Sequence, residues 1–198
     1  MTCTKDKGKA NATNPSDVTR IFNILDIKED SIFCDLGCGN AKLCIKSISR
    51  VKEAIGFECD NKRYLTSKRS TAKYPNIKIF KGNYEHKRSI KKFRNADVIF
   101  CVNGTTTKFL KEIEMKVKKG TYFIQYYLPS CPIKPYHKLG WYYIMKTPFH
   151  YAKTEQDWVK SLQQGNLKNL KRKIYSYFKD GKERIDELED ELMECFAC

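Results

Sequence analysis

Four residues in the first third of the chain have the types and spacing to do chemistry together. Asp35, Gly37 and Gly39 lie in FCDLGCGNAKLC, where an apolar run ends in an acid and then two glycines one residue apart. Nineteen residues after Gly39, at the end of the apolar run AIGFECD, stands Glu58. Glycine is costly inside regular structure because it loses the most conformational freedom on folding. Two of them directly after a strand let the backbone turn tightly and let a small molecule lie against the main chain with no Cβ in the way. A carboxylate at the end of the next strand can accept two hydroxyl hydrogen bonds at once, as a ribose diol offers.

The pattern differs from the dinucleotide fingerprint G-x-G-x-x-G, which seats a pyrophosphate on a helix N-terminus. Lys42 occupies its last position, and Asp35 puts an acid where a pyrophosphate would have to approach. An acid there suits a ligand with a cationic end, an amino group or a sulfonium. A ribose, a cationic end and no pyrophosphate together describe S-adenosyl-L-methionine.

These residues need a scaffold that brings strand ends together, and the periodicity supplies one. Helical spacing over Ser16–Ile27, with Ser16 as cap, is followed by a strand at Ser31–Asp35 and a helix at Ala41–Arg50. A strand at Ala54–Glu58, a helix at Asn61–Tyr74 and a strand at Ile77–Lys81 come next. A polar, basic segment runs to Arg94; then a strand at Ala96–Val102, a helix at Thr106–Val117 and a strand at Thr121–Leu128. Five strands alternating with helices predict an α/β fold, a doubly wound and mostly parallel sheet. The three-proline segment PSCPIKPYHKLG predicts a loop, Trp141–Tyr151 a hairpin arm on the sheet edge, and the chain from Thr154 a helical extension. The expected organisation is a disordered basic N-terminus over 1–13, a single domain over 14–152 and a C-terminal helical extension over 153–198.

Length and composition agree with one soluble domain: 198 residues, 41% hydrophobic, with no apolar run near the ~20 residues of a membrane span. No apolar leader follows the Lys-rich start. The nine cysteines are odd in number, and Cys34, Cys59 and Cys101 fall in strands expected to be buried, which suits an intracellular, cytoplasmic protein better than a disulfide framework. Net charge is +15; the acidic window 183–194 carries −6, which leaves +21 on the rest. Such a body attracts polyanions. The terminal Cys195-Phe-Ala-Cys198 is one pair, with acids and not cations upstream, so neither a metal site nor a prenylation signal is expected there.

With these residues in view, the chain from Asn14 to about Tyr151 resembles the seven-stranded class I methyltransferases. It is most similar to the small archaeal protein-lysine methyltransferases and their mitochondrial relatives. The similarity lies in NPSDV, FCDLGCGNAKL, AIGFECD, FKGNY and ADVIFCVN…KVKKGTYFIQYYL. It implies a Rossmann-like fold and S-adenosyl-L-methionine as cofactor. Asp35, Gly37 and Gly39 would line the methionine end, Glu58 would hold the ribose, and Asn83 and Tyr84 would flank the adenine. It also implies a protein lysine amine as the methyl acceptor. Ala41 replaces the family's usual third glycine, a methyl expected to narrow the pocket, and the C-terminal extension has no counterpart in the minimal enzymes.

The acceptor side is expected at the ends of the fourth and fifth strands, from Asn103, Gly104, Thr105 and Thr106, with Tyr126 and Tyr127 opposite; Asn103, Tyr126 and Tyr127 are the catalytic candidates. VNGT is not the N-P-P-Y that grips an exocyclic base amine, which disfavours adenine N6 chemistry. RNA is the alternative acceptor, supported by the basic body. A third alternative is a non-catalytic protein that binds nucleic acid or a protein partner, supported by Ala41. The acidic end, with Ile185, Leu188 and Leu192 on one stripe, is expected to pack on the body or to cover the basic acceptor groove.

Overall fold

The computed structural model describes residues 13–102, 105–126, 131–154, 157–158 and 161–162. The expected disordered N-terminus and nearly all of the helical extension lie outside the described residues.

The first helix, α1 (Pro15–Leu25), starts one residue earlier than its periodicity suggests. Asn14, not Ser16, caps it: the Asn14 Oδ1 accepts the Ser16 N–H at 3.0 Å, and Pro15 supplies a fixed φ in the first turn. Val18, Ile21, Phe22 and Leu25 form its buried face as expected. β1 (Ile32–Leu36), α2 (Lys42–Ser47), β2 (Glu53–Glu58), α3 (Asn61–Thr71) and β3 (Ile77–Lys81) follow. The polar, basic segment before Arg94 contains a short helix, α4 (Lys87–Phe93), anchored by Ile90 and Phe93. Then come β4 (Val98–Cys101), α5 (Thr107–Lys116) and β5 (Tyr122–Gln125). The Thr106 hydroxyl caps α5 by accepting the Phe109 N–H at 3.1 Å.

The proline-rich segment is not wholly a loop, because its end forms β6 (His137–Leu139), which pairs with β7 (Tyr142–Lys146) as a hairpin. Seven strands make one sheet in the order β3-β2-β1-β4-β5-β7-β6. The β3-β2-β1-β4-β5 ladder is parallel throughout, and β7 runs antiparallel between β5 and β6. The arm therefore extends the sheet beyond β5, as its aromatic alternation suggests. β3 forms the opposite edge and, among the described residues, pairs only with β2.

Two apolar layers cover the sheet. α1 and α2 pack on one face through Phe22, Leu25, Leu43 and Cys44, with Tyr64 of α3 against the same cluster. α4 and α5 pack on the other through Ile90, Phe93, Phe109, Leu110 and Ile113. Beyond the arm the chain returns to the body: the Trp158 indole N–H donates to the Ile133 carbonyl at 3.2 Å and Lys134 pairs with Asp157 at 2.6 Å. Leu162 is buried. Cys34 and Cys101 are buried in strands as expected; Cys59 lies one residue past β2 and is exposed. Among the described residues no helix is long and apolar enough to cross a membrane.

Candidate active site

The parallel strands point their carboxyl ends to one edge of the sheet, and the glycine turn leaves β1 there. Gly37 has φ 90° and Gly39 φ 53°, the left-handed region where an L side chain is strained. The N–H groups of Gly37 and Cys38 both donate to the Phe57 carbonyl at 2.9 Å, which stitches the turn to the end of β2. A Cβ built on Gly39 meets no atom within 4 Å, so the turn faces open space at that position.

Glu58 closes the same turn from the other side. It is buried, and its two oxygens each accept a main-chain N–H, from Gly39 at 2.9 Å and from Asp60 at 2.8 Å. Each carboxylate oxygen has a second lone pair, so both can still accept a hydroxyl hydrogen. The Glu58 carbonyl accepts the Gly82 N–H at 2.9 Å, which brings the residues after β3 to the same place. Asn83 and Tyr84 follow directly. The Asn83 Oδ1 is held by the Glu85 N–H at 2.8 Å, and the Tyr84 ring stacks near Phe109 at 5.5 Å.

Asp35 sits near the end of β1, paired in register with Gly56 and Phe100. It is 3% exposed. Burial first, and the Glu58 charge second, push its carboxyl from 3.8 up to about 7. No hydrogen-bond donor among the described residues reaches its carboxylate. A buried carboxylate without a donor is costly, and a cation placed beside it would offset that cost.

Ala41 does not narrow the pocket. Its φ is 60° and its methyl is 0% exposed within the apolar layer under α1 and α2. The third glycine of the family pattern is thus replaced by a strained residue whose side chain is absorbed by the core.

On the acceptor side the structure redistributes the expected roles. Asn103, Gly104 and Tyr127 lie outside the described residues. Tyr126 follows β5, half-buried, with its ring edge-on to Tyr142 at 5.2 Å. The Thr106 hydroxyl accepts the Phe109 N–H in the α5 cap. Thr105 is buried and its hydroxyl donates to the Gln125 Oε1 at 3.2 Å.

Three residues escaped sequence reasoning. Gln125, the last residue of β5, is 0% exposed and its Nε2 has no hydrogen-bond partner. A lone amide in the apolar run TYFIQYYL is the signal that could have found it. Gly56 is needed because a Cβ there would lie 2.7 Å from the Ile79 Cδ1 and 2.8 Å from the Cys38 Sγ. Cys38, between the two glycines, therefore fills the space that Gly56 leaves empty.

No protein-family model matches the chain, and no curated protein sequence does. Solved structures do match in fold. An RNA methyltransferase from Salinibacter ruber, in complex with S-adenosyl-L-homocysteine, superposes with a TM-score of 0.61 at 15% identity, over 72% of this chain and 97% of that one. The C-terminal domain of precorrin-6Y C5,15-methyltransferase from Rhodobacter capsulatus gives a TM-score of 0.50 at 13% identity, over 59% of this chain. The precorrin-6Y C5,15-methyltransferase from Geobacter metallireducens gives 0.50 at 12%, also over 59%. The match spans 64% of each of these two chains, less than two thirds. At these identities the likeness concerns the fold. The sheet order, the antiparallel seventh strand and the flanking helices are those of the Rossmann-like class I methyltransferase fold.

Proposed function

We propose that the chain is an S-adenosyl-L-methionine-dependent methyltransferase. One observation carries the reading: a buried carboxylate with no donor of its own, Asp35, beside a glycine turn that Glu58 holds open. The Asp35 carboxylate would face the cationic end of the cofactor. Glu58 would accept the ribose hydroxyls with its remaining lone pairs, and Asn83 and Tyr84 would flank the adenine. The cofactor supplies a methyl group activated by positively charged sulfur. The chain has to align an acceptor lone pair with that methyl and keep water away. The segment from Asn103 to Thr105 and the residues Tyr126 and Tyr127 would form the acceptor side, where an aromatic face favours a cationic group. Ala41, the residue that supported a non-catalytic reading, leaves the turn free and so no longer supports it.

The sequence resemblance supports a protein lysine amine as acceptor, which must lose its proton before attack. One structural observation favours RNA instead: of the twelve exposed Lys and Arg of residues 61–94, on and beside the β3 edge, two meet a carboxylate among the described residues. Labelled methyl transfer from S-adenosyl-L-methionine into a lysate, with and without nuclease, tests both. Label in protein that survives nuclease supports lysine, and label lost with nuclease supports RNA. Absence of transfer, together with no calorimetric binding of the cofactor, would overturn the enzymatic reading.

A further inference from the structure

Residues 61–94 carry twelve Lys and Arg against one acid, Glu85. All twelve are exposed. They do not share one helix face. Lys68 and Arg69 stand on α3 over one face of the sheet, Lys78 and Lys81 on the edge strand β3, and Arg88 and Lys91 on α4 over the other face. The charge therefore wraps around the β3 edge of the described sheet. Only Lys78, to Glu53 at 2.8 Å, and Lys87, to Glu112 at 3.9 Å, meet a carboxylate among the described residues. α5 differs: on the same sheet face as α4 it mixes signs, and its Lys116 pairs with Glu112. A surface that serves solubility alone intersperses charges; a single-sign field repels itself and is kept where it steers a partner.

We infer that the β3 edge, with α3 and α4, docks a nucleic-acid strand through its phosphates. Its role as the methyl acceptor's binding surface rests on the methyltransferase reading above; the docking itself does not. The geometry joins the two. α3 begins three residues after Glu58, and α4 begins three residues after Tyr84. The first cations of both helices thus stand at the rim of the glycine-turn pocket, and the later ones run back along the edge. A strand laid on the edge has one end at that rim.

Other polyanions fit less well. A membrane is a plane, and charge on two opposite faces and the edge between them cannot all meet it. Interfacial binding also needs an apolar face, and Leu65 is the only large apolar side chain among the described residues of this stretch that is exposed. A lysine-rich protein substrate would be repelled.

The test uses the full chain and fluorescence anisotropy with a 20-nucleotide single-stranded RNA, the same sequence as DNA, polyglutamate and phosphatidylserine vesicles, across a salt series. For a single strand, log K against log salt falls by ~0.7 per phosphate contact. The pairs Lys68→Ala/Arg69→Ala and Arg88→Ala/Lys91→Ala are each expected to flatten that slope by ~1.4 and to weaken binding roughly tenfold at low salt. Equal affinity in the variants, a salt-independent affinity, or tighter binding to polyglutamate or vesicles than to nucleic acid would overturn the inference. The RNA and DNA arms identify the strand. Calorimetry with S-adenosyl-L-methionine on the same proteins reads the pocket separately: nucleic acid bound without cofactor refutes the methyltransferase reading and keeps the edge, and cofactor bound without nucleic acid does the reverse.

Discussion

Asp35→Asn is expected to make the protein more stable and to weaken its hold on the cofactor. The carboxyl titrates at about 7 in the folded chain against 3.8 when unperturbed. Between those values the folded state holds a proton that the unfolded state has released, so stability falls as pH rises. Below 3.8 both states are protonated and the penalty is absent; above about 7 it is complete. At roughly 1.4 kcal/mol per pH unit the gap corresponds to ~4 kcal/mol. Asn carries no charge at any of these pH values. The variant should therefore gain up to ~4 kcal/mol at pH 8, several degrees in Tm, and ~1 kcal/mol at pH 4.5. Cofactor binding runs the other way. A cation beside Asp35 favours its ionised form, and for a group titrating near 7 the ionised fraction is ~0.1 at pH 6 and ~0.8 at pH 7.5. Wild-type affinity should rise about eightfold over that interval, whereas the variant should bind more weakly and with a flat profile. Thermal melts at pH 4.5 and 8, and calorimetry at pH 6 and 7.5, measure both effects. A variant less stable than wild type at pH 8, or one that keeps the affinity and its pH dependence, would show that Asp35 neither carries this burial penalty nor meets the cofactor's cation.

Glu58→Gln replaces one acceptor oxygen by a donor that must face the N–H of Gly39 or Asp60; with charge-assisted bonds worth ~1.5–3 kcal/mol each, cofactor affinity should fall at least tenfold by calorimetry. Gly56→Ala drives a methyl into the Cys38 sulfur and the Ile79 side chain. Thermal denaturation should show a loss of ~1–3 kcal/mol, and relief of that loss by a second substitution, Ile79→Val, would identify the clash as its cause. Gln125→Met removes the amide whose Nε2 has no partner but also the oxygen that accepts the buried Thr105 hydroxyl; melts should show the double variant Gln125→Met/Thr105→Val to be ~1 kcal/mol more stable than Gln125→Met alone, which strands that hydroxyl.

The features legible in the sequence were those that a local rule enforces. Gly37 and Gly39 stand out because a positive φ excludes side chains, and Glu58 because a strand end places it opposite them. The buried face of α1 followed from spacing alone. What escaped depends on contacts distant in sequence. Gly56 is indispensable only because Cys38 and Ile79 converge on it. α4 has two large apolar anchors among seven residues, too few for a period to register. β6 is hidden by the prolines before it, and exists because β7 offers a partner edge. Ala41 was misassigned because a sequence pattern does not say which way a methyl points; here it points into the core. Cys59 was placed in a buried strand because AIGFECD reads as one apolar run, and the strand stops at Glu58.

Among the described residues no strand pairs with the outer margin of β3, which leaves main-chain N–H and C=O groups there for an extended chain that drifts alongside. Lys78 and Lys81 stand on that margin, so two copies meeting there bring like charges together and the seam does not form. Copies of this protein are expected to be held apart by repulsion, which added salt would screen. The copies should then begin to zip together along that strand.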